Sequence, residues 1–190
     1  MKQKWRSVMQ RPRIWRWHVL EKLIKEHEWK LGAELGVLQG RNLTYLLDHC
    51  PALSMVGVDV WKPPRPGSSQ YDLVAYKSYP LEEFYTSLVA KCETYGPRAE
   101  LLRMTTAKAA KQFPNNHFDF IFIDADHSRR GVTADIKNWS PKVKPGGWIL
   151  GHDYKPHPYP VSVVVDEIFG PVQHFADLVW GIPKKETRFA

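Results

Sequence analysis

The sequence predicts a three-layer α/β/α fold around a doubly wound, mostly parallel sheet that ends in an antiparallel edge pair. Short apolar strand patterns alternate with helix patterns along most of the 190 residues, which is typical of a parallel sheet covered by helices on both faces. The clearest strand, 118–123, is apolar at five of its six positions, as expected for a strand buried on both sides. The length suits one domain with a sizeable core.

The elements are expected in a regular order along the chain. Strands are predicted at 31–35, 54–60, 100–104, 118–123 and 148–151, the last one after a turn at 145–147. Helices are predicted at 41–49, 81–95, 107–112 and 161–169, with a further helix between the fourth and fifth strands. Two short strands, 172–175 and 178–181, would form the antiparallel edge pair. The proline-, glycine- and serine-rich loop 62–78 is long enough to predict a functional cover.

The positive charge of the chain is concentrated in its first 30 residues. This leader holds nine lysines and arginines against three glutamates, in a chain of net charge +7, and four of the eight tryptophans. Basic residues interleaved with aromatic ones can bind phosphates and stack on bases, which would make the leader a nucleic-acid-binding arm. The alternative is a helix that packs on the domain or covers the substrate, because Ile14, Trp17, Leu20 and Ile24 fall at helical spacing. We therefore expect a basic helical extension, 1–30, and a single domain, 31–190.

Composition excludes some classes of protein. No run of about 18 apolar residues occurs, so a transmembrane helix is not expected. The basic N-terminus is not followed by the apolar stretch of a signal peptide, which favours a cytoplasmic location. Cys50 and Cys92 form neither a disulfide framework nor a zinc-binding pattern, and buried reduced thiols are expected. Whether the protein forms a homo-oligomer stays open.

Ionisable side chains follow two neighbouring strands at the point where each strand ends. Asp124, Asp126 and His127 come directly after the fourth strand, and His152 and Asp153 follow the fifth. In open α/β sheets, ligands bind outside the carboxyl ends of the strands. These five residues are therefore expected to build a site.

A second polar group is expected at the same edge of the sheet. The first strand and its turn carry Glu34, Gly36 and Gly40, and Asp59 ends the second strand. Glycine in such a turn lets a ligand approach the backbone at the positive end of a helix, although it can also be only a steric requirement. A carboxylate at the position of Asp59 can accept hydrogen bonds from both hydroxyls of a ribose. The pattern predicts a cofactor that contains a nucleoside.

The order of these motifs resembles that of class I S-adenosylmethionine-dependent methyltransferases, which have a Rossmann-like fold. The resemblance spans residues 31–154 and rests on five segments in sequence: Glu34-x-Gly36-x-x-x-Gly40, Asp59, Met104-Thr105-Thr106, Ile123-Asp124-Ala125-Asp126 and Lys144-Pro145-Gly146-Gly147. A dinucleotide dehydrogenase is disfavoured, because the G-x-G-x-x-G spacing is missing.

The resemblance implies roles for individual residues. Glu34 and Gly36, within the turn that Gly40 closes, would serve the methionine end of S-adenosylmethionine, and Asp59 would bind its ribose. The remaining cofactor contacts are expected from Trp61, Thr105 or Thr106 near the adenine and from Asp124. The sequence departs from the family pattern at Leu38, where many relatives have glycine, and a less tight turn is expected there.

Within that family, the fourth and fifth strand ends resemble the metal-dependent O-methyltransferases of the catechol and caffeoyl-CoA type. The resemblance implies that Asp124 and Asp153 hold Mg²⁺ or Mn²⁺, which favour oxygen ligands. The family's third ligand, an asparagine, is replaced by Tyr154. His152 could substitute for it, although imidazole shifts the preference toward Mn²⁺, Fe²⁺ or Zn²⁺. Alternatively, the two aspartates cap turns and bind no metal.

His127 is the candidate catalytic base. It lies three residues after Asp124, where the caffeoyl-CoA type relatives carry a catalytic lysine, and an imidazole can take a proton from a hydroxyl near neutral pH. Alternatively, the segment is a simple turn, with Ser128 as a helix cap.

The sequence thus predicts an S-adenosylmethionine-dependent methyltransferase that acts on a hydroxyl of a small molecule, with Asp124 and His127 at the reacting centre. Two alternatives stay open. One is a nucleic-acid methyltransferase that uses the basic leader, and the other is an inactive cofactor-binding module that serves interactions.

Overall fold

The expected α/β/α fold is confirmed by the computed structural model, which describes residues 13–63, 78–156 and 160–185. Its seven strands form one sheet in the order β3-β2-β1-β4-β5-β7-β6. The first five strands are parallel, and β7 and β6 are antiparallel to their neighbours. The strands are β1 Leu31–Leu35, β2 Ser54–Asp59, β3 Ala99–Arg103, β4 Phe118–Ile123, β5 Val143–Gly151, β6 Gln173–His174 and β7 Trp180–Pro183.

Helices cover both faces of this sheet. They are α1 Arg16–His27, α2 Arg41–His49, α3 Leu81–Glu93, α4 Thr106–Ala109, α5 Arg129–Trp139 and α6 Pro160–Phe169. The apolar side chains of α1, α2 and α3 pack with Phe120 and Phe122 on one face. Those of α4, α5 and α6 pack with Ile121 and Ile123 on the other. The alternation along β4 explains why its sequence is apolar almost throughout.

Helix α1 packs on the domain, as one of the two interpretations of the leader expects. Its buried residues are Val19, Leu20, Leu23 and Ile24, and they join the core formed with α2. The predicted apolar face is wrong at Ile14, which precedes the helix and is 55% exposed. Residues 1–12, with several of the basic side chains of the leader, lie outside the described residues.

The largest differences from the predicted boundaries lie at β5 and at the edge pair. Strand β5 already begins at Val143 and includes the glycines predicted as a turn, because Gly146 and Gly147 exchange backbone hydrogen bonds with Lys184. The edge pair is shifted along the chain, because Asp177 and Leu178 adopt left-handed conformations that place the reversal just before β7. Most of the loop predicted as a cover, 62–78, lies outside the described residues.

No helix in the described ranges is both long enough and apolar enough to cross a membrane. Cys50 and Cys92 are buried free thiols, as expected.

Candidate active site

The predicted site residues gather at the carboxyl edge of the sheet. Strand β1 lies between β2 and β4, so the chain leaves the first strand where the strand order reverses. Crevices for ligands form at such a switch point. Gly36, directly after β1, shows how crowded this point is: a Cβ there would collide with the carbonyl oxygen of Asp124, after β4. The predicted cofactor turn, 36–40, and the acidic segment, 124–127, are therefore in contact.

The turn between β1 and α2 contains three residues in left-handed conformations. Gly36 and Gly40 have φ of 87° and 74°, and Leu38, between them, has φ of 50°. A left-handed conformation costs a residue with a side chain roughly 1–2 kcal/mol. The less tight turn that the sequence predicted at Leu38 is therefore not observed. Leucine instead adopts a conformation that glycine accepts more readily.

Hydrogen bonds with Asp59 and Trp61 hold Leu38 in that conformation. The Oδ2 atom of Asp59 accepts from the backbone nitrogens of Val37 at 3.0 Å and Leu38 at 2.9 Å. Its Oδ1 atom accepts from the Trp61 nitrogen at 2.8 Å. The Trp61 indole donates to the Leu38 carbonyl at 2.8 Å. Asp59 therefore organises the turn, in addition to the ribose contact predicted for it.

The indole of Trp61 is only 2% exposed. It packs against Tyr85 of α3 at a centroid distance of 4.9 Å. The adenine contact predicted for Trp61 would have to come from its backbone, because the ring faces the core.

Glu34 is a buried acid at the end of β1. Its side chain is 2% exposed, and burial raises its pKa to about 8. Among the described residues, its Oε2 atom and both amide atoms of the buried Asn42 have no partner of good hydrogen-bond geometry, although the Asn42 amide lies close enough to oppose the rise in the Glu34 pKa. Buried polar atoms normally have partners, so this pair is suited to receive polar groups of a ligand. A cationic cofactor such as S-adenosylmethionine fits beside Glu34, because its charge would favour the ionised carboxylate.

The two threonines after β3 have different surroundings. Thr105 caps α4 by accepting from the Lys108 nitrogen, and it lines a cleft of about 480 Å³ with Val60, Lys62, Arg103, Met104 and Lys108. Thr106 instead donates to Asp135 of α5 at 2.5 Å. Of the two, Thr105 is therefore the one that lines this cleft.

Four of the five ionisable residues predicted to build a site after β4 and β5 form one cluster, and Asp126 lies outside it. The Nε2 atom of His127 lies 2.9 Å from Oδ2 of Asp153 and 3.6 Å from Oδ1 of Asp124. The Nδ1 atom of His152 lies 3.3 Å and 3.6 Å from the same two oxygens. The sequence prediction that these strand ends meet is thus correct.

The cap interpretation of this segment is also correct for two of its residues. Asp126 accepts from the Ser128 nitrogen, and Ser128 accepts from the Gly131 nitrogen at the start of α5. This cap fixes the backbone on either side of His127, whose imidazole extends to Asp153. Capping and a catalytic position are therefore compatible.

Asp153 is a strongly stabilised carboxylate. It has a left-handed φ of 59° and is 9% exposed. Burial alone would raise its pKa, but the neighbouring His127, His152 and Lys155 side chains outweigh burial and hold the pKa well below the usual range. The Nζ atom of Lys155 lies 2.7 Å from Oδ1 of Asp153.

Arg16, the first residue of α1, reaches into this cluster. Its Nη1 atom lies 2.9 Å from Oδ2 of Asp124 and 3.1 Å from Nδ1 of His152. Its backbone nitrogen donates to Oδ2 of Asp177 at 2.8 Å. Sequence reasoning missed both residues: Arg16 was one basic residue among nine in the leader, and no motif includes Asp177.

Asp124, His152 and Asp153 offer one ligand atom each within 4.8 Å of one another, as a metal site requires. The charges around them do not fit a divalent ion, however. Arg16 contacts two of these residues and Lys155 contacts the third. Two carboxylates are thus already balanced by two cations, and the predicted metal ligands are engaged with protein groups.

Comparisons with known proteins agree with this fold. Residues 33–154 match a family described as a methyltransferase domain. An uncharacterized protein of Sinorhizobium fredii, y4gI, is 31% identical over 97 residues, which are 51% of this chain. The match spans only 10% of that protein.

Two solved structures show the same fold. A Staphylococcus aureus protein assigned as a caffeoyl-CoA O-methyltransferase has a TM-score of 0.64 and 11% identity, over 91% of this chain and 85% of its own. The 1,6-didemethyltoxoflavin-N1-methyltransferase of Burkholderia thailandensis, solved with S-adenosylhomocysteine, has a TM-score of 0.56 and 12% identity, over 90% and 78%. Because the family match covers more than half of the chain, this chain belongs to the methyltransferase domain family, as the resemblance predicted.

Proposed function

We propose that the protein transfers the methyl group of S-adenosylmethionine to a hydroxyl of a small molecule. The observation that carries this proposal is the position of His127, at the strand end whose backbone touches the cofactor turn through Gly36 and Asp124. A base at this place would lie beside an acceptor that enters over β4 and β5, next to the expected methyl donor.

The proposed chemistry needs few groups. The acceptor oxygen attacks the sulfonium methyl in line, the carbon–sulfur bond breaks, and neutral S-adenosylhomocysteine leaves. The hydroxyl proton passes to His127. Asp153, 2.9 Å from Nε2 of His127, orients the ring and stabilises its protonated form. Base catalysis of this kind contributes roughly 10²–10⁴-fold to a rate.

The cofactor half follows the expected division of roles. Glu34 and Asn42 are the buried polar groups at the end of β1 and the start of α2 that would face the charged methionine end. Asp59 would contact the ribose from the turn that it organises, and Thr105 would face the adenine across the cleft after β3. We also propose a cytoplasmic location.

The test is methyl transfer from isotopically labelled S-adenosylmethionine to a panel of phenols and aliphatic alcohols. His127→Gln should lower kcat by roughly 10²-fold or more while the cofactor Kd, measured by calorimetry, changes little. His49→Gln is the matched control, because His49 is exposed at the end of α2. A His127→Gln enzyme with unchanged kcat would exclude the base role.

The same assay separates the alternatives. Label that appears on an added nitrogen compound or on RNA or DNA, but on no alcohol, would contradict the hydroxyl acceptor. Cofactor binding without turnover of any acceptor would favour the inactive interaction module.

A further inference from the structure

We propose that Arg16 supplies the positive charge at the acceptor site that the sequence assigned to a divalent metal. The inference rests on the proposed methyl transfer and adds one residue to it. Arg16 would donate a hydrogen bond to the acceptor oxygen, and the reaction would need no metal ion.

Arg16 already contacts the atoms that a metal would need. Its Nη1 atom lies 2.9 Å from Oδ2 of Asp124 and 3.1 Å from Nδ1 of His152. An arginine can only donate hydrogen bonds, so the second contact uses the lone pair of Nδ1. That lone pair is the one that a metal ion on the same nitrogen would require. Two of the three candidate ligands are therefore engaged by one guanidinium nitrogen.

The third candidate ligand is engaged by other groups. Oδ1 of Asp153 lies 2.7 Å from the Lys155 ammonium, and Oδ2 lies 2.9 Å from Nε2 of His127. A divalent ion would thus add two positive charges beside two cations at close range. Like charges at such distances repel strongly in a partly buried site. A guanidinium does not lose its proton in proteins, so Arg16 could make room only by moving away.

The position of Arg16 is fixed from two sides. Its backbone nitrogen donates to Asp177 at 2.8 Å, and Asp177 lies in the turn between β6 and β7. The following turns of α1 bury Leu20 and Leu23 against the core. Arg16 thus begins a helix that is anchored at both its first residue and its apolar face. Its side chain is 30% exposed, which leaves part of the guanidinium accessible to an acceptor.

This placement suits the chemistry of methyl transfer. Electron density shifts from the acceptor oxygen to the sulfonium sulfur as the oxygen–carbon bond forms and the carbon–sulfur bond breaks, and a more anionic oxygen attacks more readily. A fixed hydrogen-bond donor with a positive charge lowers the pKa of a bound hydroxyl, which is the task that a metal performs in other enzymes. The released proton passes to His127, which contacts Asp124 and Asp153 from the side of β4.

The test is calorimetric titration of the full-length protein with Mn²⁺ alone, which does not depend on activity. Wild type should bind Mn²⁺ weakly at this site. Arg16→Met keeps much of the side-chain volume without the charge and should bind Mn²⁺ at least about tenfold more tightly, because a like charge beside the ion is removed. Asp124→Asn in the Arg16→Met protein should abolish the gain. Lys22→Met is the control, since it removes an exposed charge from the same helix and should leave Mn²⁺ binding as in wild type.

Two results would overturn the proposal. One is tight Mn²⁺ binding by wild type that Asp124→Asn removes. The other is a folded Arg16→Met protein that binds Mn²⁺ no better than wild type. Arg16→Lys serves as the second variant if Arg16→Met does not fold. It retains the positive charge and should bind Mn²⁺ as weakly as wild type. Tight Mn²⁺ binding by Arg16→Lys would contradict the proposal.

Failure of the proposed function has a different signature. It would appear as absent methyl transfer or absent S-adenosylmethionine binding by wild type, in separate assays, whatever the Mn²⁺ titrations show. If methyl transfer is found, it should persist in EDTA for wild type and fall in Arg16→Met with a lower kcat rather than a higher cofactor Kd.

Discussion

Removal of the Asp59 carboxylate should destabilise the protein as well as weaken cofactor binding. Its two oxygens accept hydrogen bonds from the backbone nitrogens of Val37, Leu38 and Trp61. In Asp59→Ala, all three donors lose their partner, and Leu38 loses one of the two contacts that hold its φ of 50°. A test of the ribose role by Asp59→Ala alone would therefore mix two effects.

The expected magnitude follows from these three hydrogen bonds. A hydrogen bond to a charged group contributes about 1.5–3 kcal/mol when buried. Because Asp59 is half-buried and water can replace part of each bond, a total of about 3–4 kcal/mol is expected rather than the full sum. With an m-value of about 2 kcal/mol/M, the urea midpoint should fall by about 1.5–2 M.

The assay is urea unfolding of wild type, Asp59→Ala and Asp59→Asn, with calorimetric binding of S-adenosylmethionine to each. Asp59→Asn keeps one acceptor oxygen and should lie between the other two in stability. Glu93→Ala, at the exposed end of α3, is the control for loss of a surface carboxylate. Leu38→Gly in the Asp59→Ala background should recover part of the loss, because glycine accepts a left-handed φ without the cost that leucine bears. An Asp59→Ala protein within about 0.5 kcal/mol of wild type would refute the structural role of Asp59.

Two further substitutions test the site and its support. Burial, reinforced by Asp126, raises the pKa of Asp135 to about 7 despite the hydrogen bond from Thr106. The folded state therefore holds a proton that the unfolded state has already lost, and stability should fall as pH rises from about 4 to 7, by up to about 1.4 kcal/mol per pH unit. Urea titrations should show a flatter profile for Asp135→Asn, and parallel profiles would contradict this burial effect. Gly36→Ala should lose cofactor binding and stability, because its φ of 87° and the collision with the Asp124 carbonyl leave no room for a Cβ. Unchanged calorimetric binding of the cofactor would contradict the close approach of the turn after β1 to the segment after β4.

The strands and their acidic ends could be predicted from the sequence because each depends on local pattern. The apolar run of β4 specifies a doubly covered strand, and a parallel sheet brings strand ends together whatever the details of packing. Asp124 and Asp153 could therefore be paired before their distance was known. The start of β5 and the bounds of β7 could not be predicted as well, since they depend on hydrogen bonds between Gly146, Gly147 and Lys184.

Other features depend on contacts between distant segments, which no local pattern records. Arg16 is 108 residues from Asp124 and 161 residues from Asp177. Its role depends on where α1 settles on the core, and the sequence offered only a choice between a packed helix and an arm. Likewise, the conformation of Leu38 depends on Asp59 and Trp61, more than 20 residues away. From the sequence, Leu38 could be recognised as an exception to the glycine pattern, but the hydrogen bonds that hold its conformation could not be predicted.

The two halves of the site are organised by the same kind of contact. Asp59 holds the cofactor turn after β1. Arg16 balances Asp124 after β4, and Lys155 balances Asp153 after β5. Gly36 and Asp124 bring the two halves together. Because Arg16 is the first residue of α1, the leader predicted as an extension would contribute directly to the acceptor site. If Arg16 performs the proposed role, a protein that begins at β1 would keep the cofactor turn and lose the charge that replaces the metal. The boundary at residue 30 would then separate two segments of sequence but not two functions.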